Sequence, residues 1–155
     1  MTDVLSRTDI IVRAIVGDHR GYLSDDLMGV FTDYELKNPQ ILYQSQPPRE
    51  SKRSIPPSMT ITLPGGEVMV GAVRYTQYEE ALPILQPGIE TVFLVQRRNN
   101  RYELVEVFLG AFAIRDNQLF PLTRKAGFAE EYKGVSASDA IPALVAQVRA
   151  LRGQR

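Results

Sequence analysis

The chain contains no cysteine and no tryptophan, and its one histidine is His19. Without thiols there is no disulfide framework, no Cys/His zinc site and no cysteine nucleophile. Any Ser-His-Asp triad would have to use His19. Net charge is also absent, because 18 Lys and Arg balance 18 Asp and Glu in 155 residues. That balance removes the global basic field expected of a nucleic-acid binder. No apolar run reaches the roughly 18 residues that a membrane-spanning helix needs. Residues 1–7 have neither a basic n-region nor an apolar h-region, so they do not read as a secretory signal. Two compartments stay open: the cytoplasm, or export with a methionine placed ahead of a mature segment. Absent cysteine suits both.

What is present is enough for an ordinary core. A 17.4 kDa chain should bury about 70% of its extended surface. We expect a single domain over 1–155, with a β-barrel over about 8–123 and a C-terminal helix over about 138–152. Residues 9–16 are rich in β-branched side chains. Ile10, Val12, Ala14 and Val16 would line one face, and Ile11, Arg13 and Ile15 the other. A strand covered on both faces suits a barrel or sandwich. Gly21–Asp26 carries turn chemistry, and His19, within Gly17–Gly21, reads as part of a surface polar turn. Val30–Leu36 alternates as a half-exposed strand, continuing to 41–43 past a bulge at Asn38-Pro39.

Residues 44–58 hold two Pro-Pro pairs and read as a long surface loop. Met59–Leu63 is a strand stopped by Pro64-Gly65-Gly66, with 67–73 expected to pair with it. Residues 74–90 read as irregular. Thr91–Gln96 is the strongest buried strand, and 97–101 a hairpin turn before a return over 102–107. Gly110–Ile114 and Leu119-Phe120 form a further hairpin around Asp116-Asn117. In the last segment Ile141, Leu144, Val145, Val148 and Leu151 make one apolar helical stripe. Ser138 or Asp139 would cap it, Pro142 would fall in its first turn, and Arg149 and Arg152 suit its C-terminal dipole. Short strands, few helices and Gly/Pro turns give a mainly β fold: a small antiparallel, OB-like barrel with one C-terminal α-helix.

Five segments recur in a familiar order: Thr8–Ala14, Val30–Leu36, Ile61–Gly66, Pro83–Leu85 with Gly88 and Val92–Leu94, and Gly110–Ile114. Together they resemble a family of uncharacterised, mostly exported bacterial proteins with a small OB-like β-barrel. The resemblance spans roughly residues 8–115. It implies that fold and an extracytoplasmic location, and brings no activity to this chain. Ala14 stands where the family often has glycine, and the lysine-glycine that closes its second strand is not evident. OB-like metalloprotease inhibitors reach zinc through an N-terminal cysteine, which this chain lacks.

No catalytic constellation emerges. His19 beside Asp18 would be a carboxylate-oriented base only if the two touched, and neighbours on a strand point apart. Asp25-Asp26 lacks the spacing of a calcium loop. Glu79-Glu80 and Glu130-Glu131 are adjacent pairs, not carboxylates facing across a cleft. Pro64-Gly65-Gly66 lacks the Gly-Lys-Ser/Thr tail of a phosphate loop and reads as a tight turn between strands. No metal ligand set and no cofactor site is expected.

Binding candidates are more numerous. Arg74, Tyr75 and Tyr78 make an amphipathic patch of residue types favoured in interface hot spots. Arg97, Arg98, Arg101 and Tyr102 cluster at a hairpin tip, and Arg49, Lys52 and Arg53 lie in the long loop. The leading expectation is a non-enzymatic binding or protein-interaction module, with another protein as partner and no membrane insertion. The alternatives are a single-stranded nucleic-acid-binding OB-like domain and a carboxylate-based hydrolase. Glu103 and Glu106 beside the basic tip weigh against the former.

Overall fold

The computed structural model describes residues 2–45, 58–78, 85–98, 101–106, 110–123 and 127–153, with side chains from Val4 onward. The elements in chain order are α1 (Thr2–Arg7), β1 (Ile10–Leu23), β2 (Val30–Gln44), β3 (Ser58–Pro64), β4 (Gly66–Val70) and β5 (Val73–Gln77). Then come β6 (Glu90–Arg98), β7 (Arg101–Leu104), β8 (Ala111–Arg115), β9 (Gln118–Pro121), a 3-10 turn (Phe128–Tyr132) and α2 (Ala137–Arg152). The fold is mainly β with a C-terminal helix, as expected. The short α1 was not foreseen.

Five strands form a barrel-like ring in the order β1-β2-β3-β7-β6, with β6 returning to β1. The β8–β9 hairpin extends the sheet beyond β6. Four ring junctions are antiparallel, and the fifth, β3 to β7, is parallel through Thr62 and Glu103 alone. The small antiparallel barrel expected from the sequence is present as this barrel-like ring, antiparallel at all but one junction. Five strands cannot alternate direction all the way round a ring, so one junction must be parallel. Its single bridge leaves the ring incompletely closed.

β1 explains how the core is divided. Ile10, Val12, Ala14 and Val16 turn into the ring with Leu36, Ile61, Leu63 and Phe93. Ile11 turns outward, where Val92, Leu94 and Phe112 pack under α1, α2 and Phe128. The two faces read from residues 9–16 are both covered, except at Arg13, which pairs with Glu90 at 2.7 Å, and at the half-buried Ile15. α2 buries Ala137, Ala140, Leu144 and Val148 against the outer core, with Ile141, Val145 and Leu151 at the margins. It begins earlier than expected, with Ser136 as its N-cap, and Pro142 lies in its second turn.

Residues 17–21 belong to β1 and are not a turn. A register shift between Val16 and His19 lets the strand continue. The reversal is Ser24–Gly29, closed by Ser24 N–H to Gly29 O at 2.8 Å and by the Met28 N–H to Asp26 Oδ1 at 3.1 Å. The bulge at Asn38-Pro39 is present, with Asn38 at φ 52°.

The largest departure concerns residues 66–78. Residues 67–73 do not pair with β3. β4 instead pairs with β5, drawn from a stretch read as irregular, to make a separate two-stranded ribbon. Gly65 and Gly66, at φ 89° and 115°, bend the chain out of β3 into that ribbon. Thr32 Oγ1 donates to Gly65 O at 2.7 Å and lies where a Gly66 Cβ would go. Pro64-Gly65-Gly66 thus joins two strands that do not pair with each other. The expected loop centre at 46–57, Glu79-Glu80 and the tip residues 99–100 lie outside the described residues.

Candidate functional site

Side chains on the outer face of the ring follow from strand alternation. On β1 these are Arg20 and Tyr22, on β2 Phe31 and Asp33, and on β3 Thr60 and Thr62. The register places Arg20 beside Asp33, Tyr22 beside Phe31, and Asp33 beside Thr62. Tyr22 and Phe31 stack with ring centroids 6.0 Å apart. Thr62 Oγ1 donates to Asp33 Oδ1 at 2.6 Å.

Arg101, at the start of β7, reaches over this face. Its Nη1 donates to the Tyr22 hydroxyl at 3.3 Å, and its guanidinium carbon lies 6.0 Å from the centre of the Tyr22 ring. Burial and the nearby Asp33 carboxylate hold the Tyr22 hydroxyl above its usual range, and Arg101 opposes that shift.

Arg20, Tyr22, Asp33, Thr60, Thr62 and Arg101 border a hollow of about 620 Å³, lined also by Ser58, Met59 and Tyr102. It lies beside the junction where β3 and β7 meet through one bridge. Among the described residues, Ser58–Thr60 have ladder partners on β2 but none on their other side. The groove therefore offers a bare strand edge, an aromatic stack, two cations and one hydrogen-bonded carboxylate. A second hollow of about 320 Å³ continues past Tyr22, Phe31 and Arg101 to Asp25 and Asp26. There Ser24 and the Met28 N–H hold the Asp26 carboxyl below the usual range.

No family model matches this chain, and no curated protein or solved structure is detectably similar to it. The site must be weighed on its own geometry.

Of the binding candidates read from sequence, Arg101 and Tyr102 line the main groove. Arg97 and Tyr102 line a smaller hollow of about 230 Å³ with Asp9 and Arg152. Asp9 there accepts from the Arg97 N–H at 2.8 Å and Arg152 Nη2 at 2.6 Å, tying the end of α2 to the ring. Arg98 is exposed at the end of β6. Arg74 and Tyr75 lie on β5, with Tyr78 just beyond it, and none of the three lines the groove.

His19 is exposed on β1 and stacks on Tyr34 at 5.4 Å. Asp18 lies 3.9 Å from Lys37 Nζ. Among the described residues no three His, Asp or Glu converge as a metal site, and no helix is long and apolar enough to cross a membrane. Sequence reading missed Arg20, Tyr22, Asp33, Thr60 and Thr62. The available signal was the i, i+2 spacing on three consecutive strands, obscured by the bulge at residues 17–18.

Proposed function

We propose that this chain is a non-enzymatic binding module that takes an extended segment of a partner protein along the bare edge of β3. The observation that carries the reading is the groove itself: Ser58–Thr60, which among the described residues have no second ladder partner, line one hollow with Arg20, Tyr22 and Arg101. Strand addition recruits an extended peptide in this way: main-chain hydrogen bonds give affinity, and pockets for alternate side chains give selectivity. Arg20 and Arg101 favour an acidic residue in the bound segment, placed beside the Tyr22–Phe31 stack. Asp33 is already engaged by Thr62.

We read the five-stranded ring as OB-like. In that fold the face of the second and third strands and the adjoining loops take oligonucleotides and oligosaccharides. The support is by fold analogy alone. The five ordered segments shared with exported bacterial OB-like proteins favour an extracytoplasmic role.

Selecting linear peptides on the immobilised protein tests the reading. Tyr22→Ala and Arg101→Ala are expected to weaken selected peptides about tenfold or more, the loss of a hot-spot contact. His19→Ala, outside the groove, should leave binding unchanged. Peptides that bind all four proteins equally would overturn the reading.

A second reading, single-stranded nucleic acid, draws on the Tyr22–Phe31 stack beside Arg101. Asp25, Asp26 and Asp33 oppose it. Binding to a thymidine oligomer that falls steeply with salt and needs Tyr22 would favour it over a peptide.

A further inference from the structure

The β4–β5 ribbon is the least explained part of the molecule. It stands apart from the ring as its own two-stranded sheet. Among the described residues β5 pairs only with β4, so its second edge presents unpaired N–H and C=O groups. Edges of this kind are templates for another chain, and proteins blunt them with lysine, proline or bulges. Val73-Arg74-Tyr75-Thr76-Gln77 has no lysine, proline or bulge, and its one charged side chain, Arg74, is paired with Glu67 of β4.

Exposed apolar surface is concentrated on the same part. Met69, Val70, Val73, Tyr75 and Tyr78 are 41–86% exposed. Among the described residues the other large exposed apolar side chains are Leu27 and Met28, on the β1–β2 turn. That turn adjoins the ribbon: Gln77 Oε1 accepts the Val30 N–H at 2.9 Å, and the β4 backbone crosses over Gly21. All seven side chains thus belong to two neighbouring segments. The ladder register places Val70, Val73 and Tyr75 on one face of the ribbon and Met69 on the other.

We propose that the occupant of this edge is a second copy of the chain, joined β5 to β5 about a two-fold axis through Tyr75. Three observations favour a copy over a foreign strand. β5 is five residues long, so antiparallel self-pairing about Tyr75 matches it end to end. Val73 then faces Gln77 of the other copy and Arg74 faces Thr76, with no like charges opposed. Arg74 is engaged by Glu67 of its own β4 at 3.5 Å, and the chain has zero net charge, so nothing repels the approach. Pairing also turns two marginal ribbons into one four-stranded sheet, and it closes on itself. The inference is independent of the groove on β3.

Absent cysteine makes the test direct. Across an antiparallel pair, facing Cα atoms lie about 4.5–5.5 Å apart, within the ~4.4–6.8 Å span of a disulfide. Tyr75→Cys, as the full-length chain's only thiol, should form a covalent dimer of twice 17.4 kDa on mild oxidation. Glu130→Cys, exposed on the 3-10 turn, should not. Sedimentation of the unmodified chain from about 1 μM to 1 mM should show monomer passing to dimer. Val73→Lys should shift that transition at least tenfold upward in concentration while the circular dichroism of the barrel is retained. A monomer at every concentration would overturn the proposal. So would a dimer indifferent to Val73→Lys, equal cross-linking at both cysteines, or assemblies that grow beyond two copies.

Discussion

Gly21 shows how one residue seats the ribbon on the ring. A Cβ there would lie 2.0 Å from the carbonyl oxygen of Glu67, a backbone atom that cannot step aside alone. Gly21→Ala should therefore lower stability by about 1–3 kcal/mol, the usual cost of overpacking. The midpoint of chemical denaturation would reveal it, with the largest amide-shift changes in β4. Tyr22 reports the groove electrostatically. Its hydroxyl should titrate above about 10, the ordinary value. Asp33→Asn should bring it down, and Arg101→Met should push it further up. Carbon-13 shifts of the tyrosine rings against pH would follow each change.

The Arg13–Glu90 pair gives a signed pH dependence. The hydrogen bond from Arg13, followed by their mutual attraction, holds the Glu90 carboxyl below its usual range despite partial burial. A depressed carboxyl contributes stability above its unfolded value, near 4.3, and loses it as pH falls through the folded value. The pair is partly exposed and screened, so its worth should be about 0.2–1 kcal/mol. Glu90→Gln should be less stable than the parent at pH 7, and the gap should close as pH falls through the lowered folded value of Glu90.

At the scale of elements, Asp9 connects three of them. It accepts from the β6 backbone at Arg97 and from Arg152 of α2, and its carbonyl accepts the Ser45 N–H beyond β2 at 2.8 Å. Asp9→Ala should fray the last turn of α2, seen as faster amide exchange at 149–152 with slower exchange kept near Leu144. The helix was legible because Leu144 and Val148 recur on one stripe. β1 and β6 were legible because β-branched residues crowd both of their faces. β5 was not, because Arg74, Thr76 and Gln77 dilute its pattern. Gly71 read as a strand interior when it leads a two-residue turn. The groove was half legible. Arg101 and Tyr102 stood out at a basic tip, whereas the i, i+2 spacing puts Arg20, Asp33 and Thr62 on outer faces of their strands but makes them neighbours only once the register of three strands is known.

For the whole molecule, two cores share β1 and β6. One fills the ring, and the other seats α1 and α2. Among the described residues, that leaves the outer face of β2 and β3 without a covering helix and the β3–β7 junction held by one bridge. On the proposed function, the Ser58–Thr60 edge receives an extended peptide. Amide hydrogen exchange of Ser58–Thr60, with and without a selected linear peptide, is the sharpest test. These amides, the side turned from β2 included, should slow on binding together with Arg101 and Tyr102. Protection confined to other segments, with Ser58–Thr60 unchanged at saturation, would contradict it.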